Sequence, residues 1–220
     1  MTVERMSGED LRDLILRVSA RGSDIPFDIP VAYGYDRLLL KRDGYWPCRD
    51  EHETRGQGRW PMDQISFVAL YPEMTPCTEE NAAECACSGW GRRIKAGISR
   101  PLFPDKRHWR TFFDSVYPRL SRLPESPEVP GMIHYHAMGR DIYLSHDHPA
   151  DELIEISCIS FARPEIVSPR CRAERLVTIA GARFRLYYHF ARAYLPQWRD
   201  IDARVKALFE RFAADAACDQ

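Results

Sequence analysis

The run ARFRLYYHFARAYL, residues 182–195, constrains the fold more than any other part of this sequence because it alternates between two kinds of side chain. Successive side chains of a strand point to opposite faces, so a period of two predicts a strand with one buried and one solvated face. The predicted buried set is Phe184, Leu186, Tyr188 and Phe190, and the predicted outer set is Arg183, Arg185, Tyr187 and His189. A strand of this kind belongs to an antiparallel sheet.

A long amphipathic helix is predicted next, over residues 197–217. Its apolar stripe consists of Trp198, Ile201, Val205, Leu208, Phe209 and Phe212. The stripe must be buried, and the apolar face of the sheet is the obvious partner.

The remaining segments follow the same pattern. Strands are predicted over residues 64–72, 92–100, 132–138, 141–146, 153–161 and 172–180, with helices over residues 8–19 and 105–117. Runs of strands without β-α-β alternation predict an α+β fold with antiparallel sheets and helices packed on one face. The pattern allows two similar layered units.

A proline-rich segment, residues 123–131, is the best linker candidate in the chain. It would divide the 220 residues into an N-terminal α+β unit, residues 1–122, and a C-terminal antiparallel sheet with a closing helix, residues 132–220.

Charge and motifs exclude several classes of function. The 31 basic and 32 acidic residues nearly balance, so nothing indicates binding to nucleic acid. No apolar run approaches the roughly 20 residues that span a bilayer. The N-terminus lacks the layout of a secretory leader. We find no phosphate-binding glycine loop and no G-x-S-x-G or H-E-x-x-H motif, and we expect no cofactor.

Four of the seven histidines lie within residues 134–148. A turn at residues 138–141 would fold this segment into a hairpin that brings together His134, His136, His146 and His148. Imidazole nitrogens can bind zinc, and Asp147 or Asp151 could add a carboxylate ligand. This pattern is the basis of one hypothesis, a metal-dependent hydrolase.

The same hairpin has a simpler interpretation. Alternation along its first strand would turn Ile133 and Tyr135 to the core and leave His134 and His136 on a solvated face. We expect surface histidines, and a partner-binding or pH-responsive role is the third alternative, since histidine titrates near pH about 6.5.

The odd number of cysteines, seven, means that at least one is free or pairs between chains. Cys158 and Cys171 border a loop that could bring two antiparallel neighbours within disulfide reach. The alternative is two buried thiols. Cys77, Cys85 and Cys87 fit no common zinc spacing.

Several phrases together resemble bacterial immunity proteins encoded beside type VI secretion effectors, especially those paired with lipase or phospholipase toxins. The phrases are 27-FDIPVAYGY-35, 70-LYPEMTPCTEENAAE-84, 89-GWGRRIKAGI-98, Cys158 with Cys171, and 194-YLPQWRDIDARVKALFERF-212. The matching residues are Phe27, Ile29, Pro30, Tyr33, Tyr71, Pro72, Met74, Pro76, Leu195, Trp198 and Ile201.

This resemblance implies a non-enzymatic protein that binds a cognate toxin and occludes its active site. It also implies paired cysteines and a periplasmic location. Such proteins usually carry an N-terminal membrane segment or leader, so either that segment has been removed here or the protein works in the cytoplasm. The extra cysteines also depart from the family pattern. A structural or adaptor module of the same secretion system is a further alternative.

Interfaces of tight inhibitors are rich in aromatic and arginine side chains. The candidates for partner binding are therefore aromatic residues in predicted loops, namely Tyr45, Trp46, Trp60 and Trp90. Each of them could equally belong to the core.

Overall fold

Twelve strands and one long helix make up most of the residues that the computed structural model describes. The described residues are 15–20, 25–34, 60–78, 80–81, 84, 91–101, 115, 122–145, 153–160 and 168–218. The strands are β1 (Ile15–Ala20), β2 (Pro26–Pro30), β3 (Trp60–Met62), β4 (Gln64–Leu70), β5 (Thr75–Pro76), β6 (Arg93–Ser99), β7 (Arg122–Leu123), β8 (Met132–Ala137), β9 (Arg140–Ser145), β10 (Ile154–Ile159), β11 (Arg170–Ile179) and β12 (Ala182–Ala191). The helix, α1, is Trp198–Cys218.

Nine of these strands form one sheet in the order β5-β4-β6-β12-β11-β10-β9-β8-β7. Every neighbouring pair in it is antiparallel. A smaller sheet has the order β2-β1-β3. In the small sheet β1 pairs with β2 antiparallel and with β3 in parallel. Mostly antiparallel sheets with a helix packed on them confirm the predicted α+β class. Strands from both sides of residues 123–131 pair in the large sheet, and the division of the chain at that segment stays a prediction.

The core lies between one face of the large sheet and α1. Phe184, Leu186 and Phe190 of β12 are at most 2% exposed, which confirms the alternation expected there. Phe209 of α1 packs against Phe67 of β4 with ring centroids 4.9 Å apart. Truncating a buried phenylalanine of this kind typically costs about 3–5 kcal/mol. No helix in the described part of the chain is long and apolar enough to span a membrane.

The small sheet corrects one prediction. Residues 8–19 were expected to form a helix, but Ile15–Ala20 is strand β1. It pairs with β2, with Val18 opposite Phe27, and both side chains are fully buried. Helix propensity is a weak preference that tertiary pairing overrides. The rest of that predicted helix, and the one over residues 105–117 apart from Ser115, lie outside the described residues.

Candidate functional site

The β8–β9 hairpin contains the histidine-rich segment and turns through Met138 and Gly139. Both turn residues have left-handed backbone angles, with φ of 50° and 71°. Two-residue hairpin turns of this kind usually carry asparagine or aspartate before glycine, because few side chains tolerate positive φ. Gly139 meets that requirement, whereas Met138 does not, and its side chain is 100% exposed.

The hairpin faces the opposite way from the prediction. His134 lies across from Tyr143, and the two rings stack with centroids 4.7 Å apart. Tyr143 is fully buried in the main core, so His134 and His136 are on the core-facing side of the sheet, where His134 is 15% exposed and His136 is 46% exposed. Tyr135 packs instead on a small second cluster around Leu153 and Leu176. Because the hairpin has apolar groups on both faces, alternation could not identify the face that meets the main core.

Asp141 connects the two histidines of β8. Its Oδ1 accepts a hydrogen bond from His136 Nδ1 at 3.0 Å and lies 3.5 Å from His134 Nε2. Its Oδ2 accepts a hydrogen bond from Arg192 Nη1 at 2.6 Å. Burial opposes ionisation, but the hydrogen bonds from His136 and Arg192 outweigh it and lower the pKa of Asp141. Asp141 is therefore an ionised carboxylate at neutral pH.

Arg192 joins this hairpin to two other segments. Its Nη2 donates to Glu128 Oε2 at 3.1 Å, within the proline-rich segment, and to Tyr143 Oη at 3.3 Å. Its backbone N–H donates to the carbonyl of Pro169 at 2.7 Å. The side chain is only 23% exposed. One guanidinium thus fixes the positions of the hairpin, the proline-rich segment and the start of β11.

These contacts bear on the zinc hypothesis. His134, His136 and Asp141 lie close together, but the Asp141 carboxylate is already neutralised by Arg192. Within the described ranges, no group of three histidine, cysteine or acidic side chains is arranged to hold a metal. His146 and His148, with Asp147 and Asp151, lie outside those ranges. The metal-dependent hydrolase therefore stays a hypothesis that these contacts do not favour.

The opposite face of the large sheet is strongly cationic, and we call it the basic face. Its described charged residues on β6 and β9–β12 are Arg93, Lys95, Arg140, Glu155, Arg170, Arg172, Glu174, Arg183 and Arg185. Glu174 is shared by Arg172 and Arg185, at 2.7 Å and 2.8 Å. Seven cations against two carboxylates leave an excess of positive charge, which suits an acidic partner.

Burial and the positive charge of the basic face lower the pKa of two groups within it. Burial, Arg140 and Arg172 together lower the pKa of Arg170. Burial, Arg170, Arg172 and Lys95 lower the pKa of His189 to about 4. His189 is consequently neutral at pH 7 and adds no charge to this face.

A disulfide joins Cys158 of β10 to Cys171 of β11, which is the predicted pairing. The two residues are directly opposite in the sheet, and Cys158 also lies opposite Asp141. The cross-link therefore lies one strand from the turn end of the β8–β9 hairpin. Cys77 is disulfide-bonded as well.

The four aromatic candidates for partner binding stay predictions. Tyr45, Trp46 and Trp90 lie outside the described residues. Trp60 begins β3 and pairs with Val18, and its side chain is not described.

Sequence reasoning missed Met138, Arg192 and the basic face. The Met-Gly pair at the hairpin turn could have indicated the exposed Met138. The arginines that alternate along β11 and β12 could have indicated the basic face. Nothing in the sequence indicated the side-chain contacts of Arg192, because they join residues that are more than thirty positions apart.

The residues that carry the family resemblance are mostly structural. Phe27, Ile29, Leu195 and Ile201 are at most 1% exposed. Tyr33 donates a hydrogen bond to the carbonyl of Met74 at 3.1 Å. These positions hold the small sheet, the β4–β5 turn and α1 together, so they mark a fold more than an interface.

Comparisons with known proteins found similar chains among solved structures. No protein-family model matches this sequence, and no curated protein matches it. Among solved structures, one similar chain is Smlt3025, an immunity protein of the Stenotrophomonas maltophilia type IV secretion system, at 15% identity and a TM-score of 0.58. The match covers 91% of this chain and 93% of that one. Another is the Neisseria meningitidis iron-regulated outer membrane lipoprotein FrpD, at 14% identity, a TM-score of 0.49 and coverage of 96% and 97%. At such identities, the first likeness shows a shared fold.

Proposed function

We propose that this protein is a non-enzymatic immunity protein that binds and neutralises a toxin of a bacterial secretion system. The observation that carries the proposal is the shared fold with an immunity protein over 91% of the chain. The dispersed family phrases support it independently, because they lie at positions that build this fold. A large basic face supplies a surface that could recognise an acidic partner.

The finer proposal follows the family resemblance. The toxin is a type VI secreted lipase or phospholipase, and the protein inhibits it by covering the active site. A rigid, cross-linked sheet suits this role, because a preorganised surface loses little entropy when it binds.

The disulfides support a periplasmic location. Disulfides persist in oxidising compartments such as the bacterial periplasm and are rare in the cytosol. The Cys158–Cys171 bond and the bonded Cys77 fit the periplasm.

Co-expression with the toxin encoded beside this protein tests the proposal. We expect the purified chains to form a 1:1 complex, the toxin's lipolytic activity to be lost in that complex, and growth to be rescued when both chains reach the periplasm. A matched control is an unrelated lipase toxin, which should be neither bound nor inhibited. Absence of binding together with absence of protection would refute the immunity function. Protection from a neighbouring toxin without lipolytic activity would refute only the lipase assignment.

A further inference from the structure

Met138 is an unusual residue for the place it occupies. In the described part of the chain it is the large apolar side chain that stands exposed, at 100% of its surface. Its φ of 50° is a conformation that side chains other than glycine, asparagine and aspartate seldom adopt. Asparagine would relieve the backbone and avoid exposing apolar surface. The combination of an unfavourable backbone angle with a fully exposed methionine marks this turn as a candidate contact site.

The hairpin that carries Met138 is rigid. The amide of Ser160 donates to the carbonyl of Gly139 at 3.0 Å, which ties the turn to the end of β10. Two residues after the turn, Asp141 is paired with Arg192 and lies opposite the disulfide-bonded Cys158. The backbone at Met138 is therefore held in place at the end of the sheet, and binding would need little further ordering of the turn.

Three arginines of the basic face lie near the same end of the sheet. Arg140 directly follows the turn and lies opposite Ile159. Arg170 begins β11 next to the disulfide, and Arg172 follows two residues later on the same face. The depressed pKa of Arg170 reflects in part its proximity to Arg140 and Arg172. A partner that accepts the tip would be favoured by acidic groups around it.

We infer that the β8–β9 tip inserts Met138 into an apolar cleft of the toxin, while Arg140, Arg170 and Arg172 face an acidic rim of that cleft. The inference rests on the proposed function and names the surface that performs it. Methionine is flexible and polarisable, so it fills irregular apolar pockets well. An enzyme that acts on acyl chains has an apolar cleft of the required kind, and the fully exposed side chain of Met138 is accessible to it.

The opposite end of the sheet offers a matched control. The β11–β12 hairpin turns through Ala180 and Gly181, with φ of 48° and 80°, so its backbone is nearly the same. Ala180 is exposed like Met138. Asparagine at either position should relieve the same backbone strain, but only the change at Met138 removes the inserted side chain.

The test is the dissociation constant of the toxin for wild-type protein and for Met138→Asn, Met138→Ala, Arg140→Glu and Ala180→Asn, measured by calorimetry at low and high salt. We expect Met138→Asn to raise the melting temperature and to weaken binding at least about tenfold, with Met138→Ala weakening it similarly. Arg140→Glu should weaken binding more at low salt than at high salt. Ala180→Asn should raise the melting temperature and leave binding unchanged.

The possible failures are distinguishable. If wild-type protein does not bind the toxin, the proposed function fails. If wild-type protein binds and both Met138 variants bind within about twofold of it, the inference about the tip is overturned while the immunity function stands. Equal weakening by Ala180→Asn would also overturn the inference, because the effect would then not belong to one end of the sheet.

Discussion

Replacing Arg192 by methionine should destabilise the protein through the Asp141 carboxylate. The variant keeps an unbranched apolar chain of similar length but removes the hydrogen bonds to Asp141 and Glu128, at 2.6 Å and 3.1 Å. Asp141 is only 13% exposed, so its charge would lose its main partner in a poorly solvated place. Glu128, at 40% exposed, can be rehydrated. We therefore expect a loss of about 2–4 kcal/mol in the free energy of unfolding.

The pH dependence gives a second check. A carboxylate whose pKa is lowered on folding stabilises the protein above its unfolded pKa, near 3.9, and loses that contribution as the pH falls through the folded value. The pKa of Asp141 is lowered in this way. The difference between wild-type protein and Arg192→Met should thus be complete at pH 7 and should shrink below about pH 4.

Urea unfolding of wild-type protein and of Arg192→Met measures the loss in the free energy of unfolding. In thermal unfolding, we expect the melting temperature of the variant to be lower by about 5–15 °C for a chain of this size. Arg204→Met is the matched control, because Arg204 pairs with Asp200 on the exposed side of α1 and both side chains are about half exposed. Exposed pairs of this type contribute little, so the control should behave like wild-type protein. The reasoning would be refuted if Arg192→Met unfolded at the same urea concentration as Arg204→Met.

Three further predictions concern the large sheet. A Cβ at Gly97 would clash with the hydroxyl of Tyr187, so Gly97→Ala should cost about 1–3 kcal/mol in the free energy of unfolding. Adding Tyr187→Ala should recover part of that loss in a double-mutant cycle, and additive losses would contradict the clash. The pKa of His189 is about 4 in the folded protein and near 6.5 in the unfolded chain, so the free energy of unfolding should fall as the pH drops from about 6.5 to 4. Urea midpoints measured across this pH range should fall less steeply for His189→Gln than for wild-type protein. Replacing both Cys158 and Cys171 by serine should lower the free energy of unfolding by about 3 kcal/mol, and an unchanged urea midpoint would count against the disulfide. Thiol titration of unfolded wild-type protein should detect neither cysteine.

The sequence alone determined the parts of the fold in which one element meets one clear apolar partner. The alternation in residues 182–195 identified β12 and its buried face, and the stripe from Trp198 to Phe212 identified the helix that covers the sheet. Both patterns are local, repeat several times and have one way to be buried. The Cys158–Cys171 pairing was available for a similar reason, because a short loop limits where two neighbouring strands can meet.

Only the tertiary structure decided what lies across long sequence separations. Val18 is in a strand because β2 is there to pair with it, although its own segment has a helical apolar pattern. His134 faces the core, where it stacks on Tyr143. The pKa of Asp141 is lowered by hydrogen bonds from His136 and from Arg192, which lies fifty-one residues later in the chain. Likewise, the arginines form one basic face only when strand order places β6, β12, β11, β10 and β9 side by side. Local patterns determine which face of an element is apolar, whereas the partners of each polar group depend on the register and order of strands far apart in the chain.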